Sequence, residues 1–153
     1  IDELEKKVKE KNKGHDFIYL PADLAVAKTE SKNASRNSVG VNDLKQGDIA
    51  LDIGDRTIDI YCDVIKNAGT VIWNGTVGKA ELEKFSYGSA RIALELAKNK
   101  QIDSILGGGD TTDFILHWEP SGKNFTHIST GGGASLELMS GKKLPGIEAL
   151  LDA

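Results

Sequence analysis

Two runs of three glycines, Gly107–Gly109 and Gly131–Gly133, are the residues best suited to chemistry in this chain. Each follows a short apolar stretch and precedes an amphipathic one, so each falls at a strand-to-helix junction. Lacking a Cβ, such loops let backbone N–H groups approach an anion closely, at the positive end of a helix dipole. One glycine turn is as readily a tight connection as a ligand site. Two in one small sheet, at matched ends of different strands, favour a phosphate site. Asp110 closes the first run. It suits a helix N-cap, or a magnesium ion bridging nucleotide phosphates, because hard cations favour carboxylate oxygens; the two uses are compatible.

Other candidates are weaker. Trp73 ahead of Asn74-Gly75 reads as a core residue, while Asn74 suits either a ligand hydrogen bond or an Asx-turn. Glu81 could hold ribose hydroxyls, but taken alone it reads as a plain solvent-facing helix position. Neither the G-x-x-x-x-G-K-[ST] loop nor the G-x-G-x-x-G motif occurs, so a nucleotide site must be of another kind. His15, His117 and His127 lack metal-ligand spacing, and His127 reads as a hydrogen-bonded core residue. No G-x-S-x-G nucleophile elbow occurs.

The elements that must carry these loops are legible in the hydrophobic pattern. Ile1, Leu4 and Val8 share a helical face that Gly14 ends. Strands are expected at 17–20, 22–28, 49–54, 70–75, 102–106 and 127–130, with a polar loop over 29–40. Helices are expected from Arg56 into Asn67 on a face of Ile60, Val64 and Ile65, and after Ser86 on Ala90, Ala93, Leu94 and Ala97. Shorter ones follow at Asp110–Trp118 and Ala134–Met139, with Gly141 as a stop and Pro145 in the first turn of a last helix. This alternation predicts an α/β fold, a mainly parallel sheet flanked by helices in a Rossmann-like three-layer sandwich. Glycines gather after Trp73, Leu106 and Thr130, at the carboxyl edge where open α/β sheets bind ligands.

Taken together, these segments resemble phosphoglycerate kinase. Trp73-Asn74-Gly75-Thr76-Val77-Gly78-Lys79-Ala80-Glu81 is similar to the family's W-N-G-P-M-G-V-F-E, and Gly107-Gly108-Gly109-Asp110-Thr111 to its G-G-G-D-[ST] loop. Ser129 to Glu137 matches S-T-G-G-G-A-S-L-E without a change, and Leu144-Pro145-Gly146 its closing L-P-G. Leu20-Pro21-Ala22-Asp23 and Leu51-Asp52-Ile53-Gly54 also fit, so the resemblance covers essentially the whole chain.

The resemblance implies a glycolytic, cytoplasmic phosphotransferase acting on ATP and 3-phosphoglycerate, with ADP and 1,3-bisphosphoglycerate as products and Mg2+ as cofactor. It places Gly108 and Gly109 against the nucleotide phosphates, with Asp110 on magnesium and Thr111 supporting the phosphates. Glu81 would hold the ribose, Asn74 would lie beside the phosphates, and Ala50 with Leu51 would border the adenine. Gly131, Gly132 and Gly133 would stabilise the phosphoryl group in flight, in a reaction that is mostly positioning and charge stabilisation. The motif's proline is Thr76 here, and its V-F is Lys79-Ala80.

Ile1-Asp2-Glu3-Leu4 begins inside the first helical pattern with no methionine. Residues 1–153 are therefore expected to be part of the carboxy-terminal, nucleotide-binding domain, with the sheet incomplete at its N-terminal side. The amino-terminal domain that binds phosphoglycerate, and a further glycine loop and lysine, have no counterpart here. The expectation is a nucleotide half-site that is inactive alone, from a parent enzyme that is a monomer; a non-catalytic nucleotide-binding module is the alternative. A formal charge of −4 and 39% hydrophobic content suit neither nucleic acid nor an anionic membrane as partner. The apolar runs are too short to span a bilayer. A single cysteine, Cys62, precludes an intrachain disulfide and suits a reducing, cytoplasmic compartment.

Overall fold

The computed structural model describes residues 6, 7, 10 and 18–151. The strands are β1 (Asp23–Ala27), β2 (Asn37–Gly40), β3 (Ile49–Ile53), β4 (Thr70–Asn74), β5 (Asp103–Gly107) and β6 (His127–Ser129). The α-helices are α1 (Asp55–Lys66), α2 (Tyr87–Lys98), α3 (Gly109–Trp118), α4 (Gly132–Met139) and α5 (Pro145–Leu151). Lys6, Lys7 and Glu10 are helical and exposed; Ile1, Leu4, Val8 and Gly14, which carry the first helix expectation, lie outside the described residues.

A parallel sheet with helices against it forms as the alternation predicts, in the order β4-β5-β6. Its register puts Asn74 beside Gly107 and Gly107 beside Ser129, so the three strands end in one row. The remaining strands depart from that pattern. They form a separate antiparallel sheet, β2-β1-β3, with a register shift in the β1–β3 pairing between Ala25 and Val26. Residues 37–40, expected in a loop, are its edge strand, because pairing with β1 supplies the ladder that their polar composition does not advertise. Phe17 lies outside the described residues, and Ile18–Leu20 are not a strand. The described strands pair only with one another, leaving this segment no ladder; Tyr61 tethers it by donating its hydroxyl to Tyr19 O at 2.9 Å.

Period alone does not fix which helix faces are buried. On α2 the buried stripe is Ser89, Ile92, Ala93 and Leu96, and Leu94 faces solvent. On α1 it is Thr57, Ile58 and Cys62, with Ile65 packed behind, and Val64 is exposed. Both helices carry two apolar stripes at adjacent angles, and only the sheet beneath selects one. The main core joins Trp73 on β4, Leu106 on β5, Ile92 and Leu96 on α2 and Ile115 on α3. Burying each such side chain contributes roughly 1.5–3 kcal/mol. α4 ends as expected at Gly141: with φ +78°, its N–H bonds Leu138 O while the Lys142 N–H reaches Glu137 O, a Schellman arrangement.

Two buried aspartates of the antiparallel sheet cap helices from a distance. The carboxylate of Asp23 accepts N–H bonds from Arg56 at 3.1 Å and Thr57 at 2.8 Å, at the start of α1. Asp52 accepts from Gly88 N at 2.8 Å, at the start of α2, and from Ile53 N at 2.8 Å. Ser86 occupies the expected N-cap position of α2, but its hydroxyl turns back to Glu83 O, leaving Asp52 to do the capping. Among the described residues no helix is long and apolar enough to cross a membrane.

Candidate functional site

Aligned strand ends bring the three glycine segments into contact. Asn74 Nδ2 donates to Gly132 O at 3.2 Å, and Gly75 N donates to Thr111 Oγ1 at 2.8 Å. A Cβ on Gly132 would fall 2.4 Å from Gly108 N, so the β5 and β6 loops meet only because that residue is glycine. Gly75 and Gly108 have φ of +92° and +94°, which favour glycine on backbone grounds. Gly109 and Gly133 differ: a Cβ on either meets no protein atom within 4 Å. Neither is demanded by packing or by positive φ, and each stands in the first turn of a helix.

Those helices, α3 and α4, have glycine N-caps, Gly108 and Gly131, and no side chain caps either one. Their first N–H groups therefore lack the partners that most helix starts acquire. The Gly131 N–H is taken by Ser129 Oγ at 3.2 Å, and Ser135 Oγ bonds Gly131 O at 3.0 Å, which stiffens the second loop. Thr112 Oγ1 donates to Ser129 O at 3.2 Å. Adjacent threonines on α3 thus hold the β4 loop on one side and the end of β6 on the other.

A cleft of about 660 Å³ opens beside these loops. Thr76, Ala80 and Glu81 from the segment after β4 line it together with Asp110, Asp113, Phe114 and His117, which share one face of α3. Asp110 lies in the first turn, two residues past the N-cap, so it does not cap the helix. Its exposed carboxylate makes no hydrogen bond or ion pair with the described residues. Among these residues no cluster of three or more His, Cys, Asp or Glu could cage a metal. A free carboxylate at a helix start fits the way magnesium is usually held, by one or two carboxylates plus substrate phosphates. Glu81 is exposed in a turn, not on a helix.

Similarity to known proteins follows the same segments. The phosphoglycerate kinase family model matches residues 1–142. This chain belongs to the phosphoglycerate kinase family. A phosphoglycerate kinase of Clostridium botulinum (strain Loch Maree / Type A3) is 43% identical over 144 residues, 94% of this chain and 35% of that protein. The structure of phosphoglycerate kinase from Coxiella burnetii superposes with a TM-score of 0.85 at 33% identity, over 99% of this chain and 38% of that one. Phosphoglycerate kinase from Pyrococcus horikoshii OT3 superposes with a TM-score of 0.78 at 28% identity, over 98% and 36%. The chain thus spans little more than a third of the length of these phosphoglycerate kinases.

Within this chain, the residues singled out from sequence fall into two groups. Asn74, Glu81, Gly108, Gly109, Asp110 and Gly131 to Gly133 gather at the carboxyl edge of the parallel sheet or in its cleft. Thr111 is there too, fully buried, with its hydroxyl engaged by Gly75. Ala50 and Leu51 are elsewhere. They line a neighbouring cleft of about 560 Å³ with Lys79 and Glu30, sharing only Thr76 with the first, and Leu51 belongs to the core beside Phe85. Of the departures from the family motif, Thr76 bonds Gly78 O, Lys79 pairs with Glu30, and Ala80 faces the main cleft. Trp73 is core, its Nε1 donating to Gly75 O at 2.6 Å. His127, expected in the core, is exposed because β6 is a three-residue strand at the edge of the described sheet.

Sequence reasoning missed Asp23 and Asp52. Both stand inside segments that fit the family pattern, and an aspartate set within an otherwise apolar strand, with a helix start elsewhere to cap, was the available signal. Burial pushes the Asp23 carboxyl up, but bonds from the Thr57 hydroxyl and from the Thr57 and Arg56 N–H groups bring it below its ordinary range. For Asp52 burial prevails over the N–H bonds from Gly88 and Ile53, and its carboxyl titrates above that range.

Proposed function

We propose that this chain forms the Mg-ATP/ADP half-site of a phosphotransferase that interconverts ATP and 3-phosphoglycerate with ADP and 1,3-bisphosphoglycerate. Residues 1–153 are, on this reading, part of the carboxy-terminal, nucleotide-binding domain of a glycolytic enzyme that is cytoplasmic and monomeric. The carrying observation is that Gly109 and Gly133 have open space where a Cβ would stand, on two uncapped helix starts. Glycine there is explained by an anion approaching the backbone.

In the proposed site the N–H groups of Gly108 and Gly109 meet the nucleotide phosphates, and Asp110 holds Mg2+, which neutralises phosphate charge when bound. Asn74 orients the two glycine loops through Gly132 O, and Thr111 sets the β4 loop through Gly75 N. Glu81 holds the ribose. The helix start at Gly131, Gly132 and Gly133 faces the phosphoryl group as negative charge develops on it. Ala50 and Leu51 border the adenine only if a nucleotide crosses the Thr76 ridge between the two clefts.

The acid substrate, 3-phosphoglycerate or 1,3-bisphosphoglycerate, is bound on this reading by the amino-terminal domain of the parent enzyme, and residues 1–153 alone do not turn over. A second reading, a non-catalytic nucleotide-binding module, draws on the cleft itself: three carboxylates and one histidine line it, and no lysine or arginine. Titration of Mg-ADP with residue-resolved amide NMR tests the half-site. Shifts at Gly107 to Thr111, Asn74 and Glu81 are expected; a dispersed spectrum that does not move refutes the half-site. Assaying phosphoryl transfer with and without the remainder of a family enzyme separates the two readings.

A further inference from the structure

Asn74 and Gly75 form the one Asn–Gly dipeptide in the 153 residues. This dipeptide carries a chemistry of its own. The Gly75 nitrogen attacks the side-chain carbonyl carbon of Asn74; a C–N bond forms, the Cγ–Nδ2 bond breaks, and Nδ2 leaves as ammonia. The five-membered succinimide then takes up one water and reopens as aspartate or isoaspartate. Glycine in second place offers the attacking backbone the most freedom, since no Cβ obstructs the ring.

The fold opposes each part of the ring closure. Gly75 N, the nucleophile, donates its hydrogen to Thr111 Oγ1 at 2.8 Å, and Thr111 is fully buried. Asn74 Nδ2, the leaving group, donates to Gly132 O at 3.2 Å, and Gly132 is itself pressed against Gly108. Asn74 is the last residue of β4, in register with Gly107, so its backbone is extended and turns the Gly75 nitrogen away from Cγ. Ring closure requires that end of β4 to rotate out of the ladder. Water for the second step is at hand, because Asn74 is exposed.

We propose that Asn74–Gly75 is a latent deamidation site, held unreactive by the Thr111 hydroxyl and the Gly132 carbonyl. Opening the start of α3 releases it. The product carries a new carboxylate beside Gly108, and the isoaspartate form inserts a methylene into the backbone where β4 meets its glycine. On the proposed function, this sets a negative charge where phosphates lie; that consequence rests on the nucleotide reading, while the deamidation itself does not.

The test ages the full chain at mildly alkaline pH and counts aspartate and isoaspartate at position 74 by peptide mass spectrometry. Asn37, which precedes Ser38 on the exposed strand β2, serves as an internal reference for general unfolding. In the native protein Asn74 should react on the order of tenfold or more slowly than in concentrated urea, given the several hydrogen bonds that must open. Thr111→Val should speed Asn74 by roughly five- to tenfold, as loss of one hydrogen bond implies. Asn37 should be unchanged, and Thr111→Ser should react like the parent. Equal rates at Asn74 in native buffer and urea overturn the proposal, as does a folded Thr111→Val that ages at the parent rate. If Thr111→Val does not fold, Asn37 and Asn74 accelerate together and the native-against-urea comparison decides. Loss of Mg-ADP binding by the aged protein tests the nucleotide reading separately, because isoaspartate is counted without any ligand.

Discussion

A methyl group built on Gly132 lies 2.4 Å from Gly108 N and 2.5 Å from Gly108 Cα, whereas one built on Gly109 or Gly133 meets nothing within 4 Å. Glycines of like appearance in the sequence therefore answer to different pressures. Gly132→Ala should destabilise the fold by about 1–3 kcal/mol, because two backbones must part. Gly109→Ala should leave stability unchanged or raise it by up to about 1 kcal/mol through helix propensity, yet weaken Mg-ADP binding by crowding the phosphate approach. Urea denaturation and nucleotide titration of the pair check this; a Gly109→Ala that binds like the parent removes the chief support for the phosphate site. Asp110→Asn makes a matching case. With no bond to lose, its stability should stay within about 0.5 kcal/mol of the parent, while the magnesium dependence of nucleotide binding should disappear in titrations with and without the metal.

At the scale of elements, Asp23 and Asp52 tie the antiparallel sheet to α1 and α2 with opposite titration behaviour. Asp23 titrates below its ordinary value in the fold. Its contribution is therefore fully present above the ordinary carboxylate range, about pH 4, and is lost as pH falls through the lowered value. Asp52 titrates above its ordinary value, so the fold holds its proton more tightly than the unfolded chain does. Its contribution is greatest at acid pH and declines as pH rises through that raised range. Urea melts from about pH 2 to 7 should thus show the parent's advantage over Asp23→Asn closing on acidification, and its advantage over Asp52→Asn widening. Slopes of the same sign would mean that the two carboxylates do not cap as described. Gly54, Gly78 and Gly88 make these caps possible, since a Cβ on any of them would fall within 2.5 Å of an aspartate side-chain oxygen or carbon. In the sequence, Leu51-Asp52-Ile53-Gly54 shows only a strand end; the helix that Asp52 serves begins 35 residues later, at Tyr87.

Across the whole molecule, several apolar side chains stay exposed: Ile72 on β4, Leu138 on α4, and Leu150 and Leu151 on α5, the last two more than 70% exposed. Surfaces of this kind promote association. Sedimentation should show a weight-average mass that rises with concentration, and Leu150→Glu with Leu151→Glu should lower that rise; a monomer at all concentrations contradicts it. What the sequence determined by itself is the local part. Period and glycine punctuation marked α1 to α5 and the parallel strands β4, β5 and β6, and Gly75, Gly107–Gly109 and Gly131–Gly133 marked the carboxyl edge of that sheet, because turn and cap chemistry is written within a few residues. Tertiary structure alone decided the rest. It chose Ile92 and Leu96 over Leu94 as the inner face of α2, made residues 37–40 a strand by giving them β1, and left Ile18–Leu20 without a ladder. It also separated Ala50 and Leu51 from the cleft of Glu81 and Asp110, and sorted the glycines into those that must touch protein and those with room for something else. Each of these depends on which surface lies across the gap, and residues distant along the chain supply that surface.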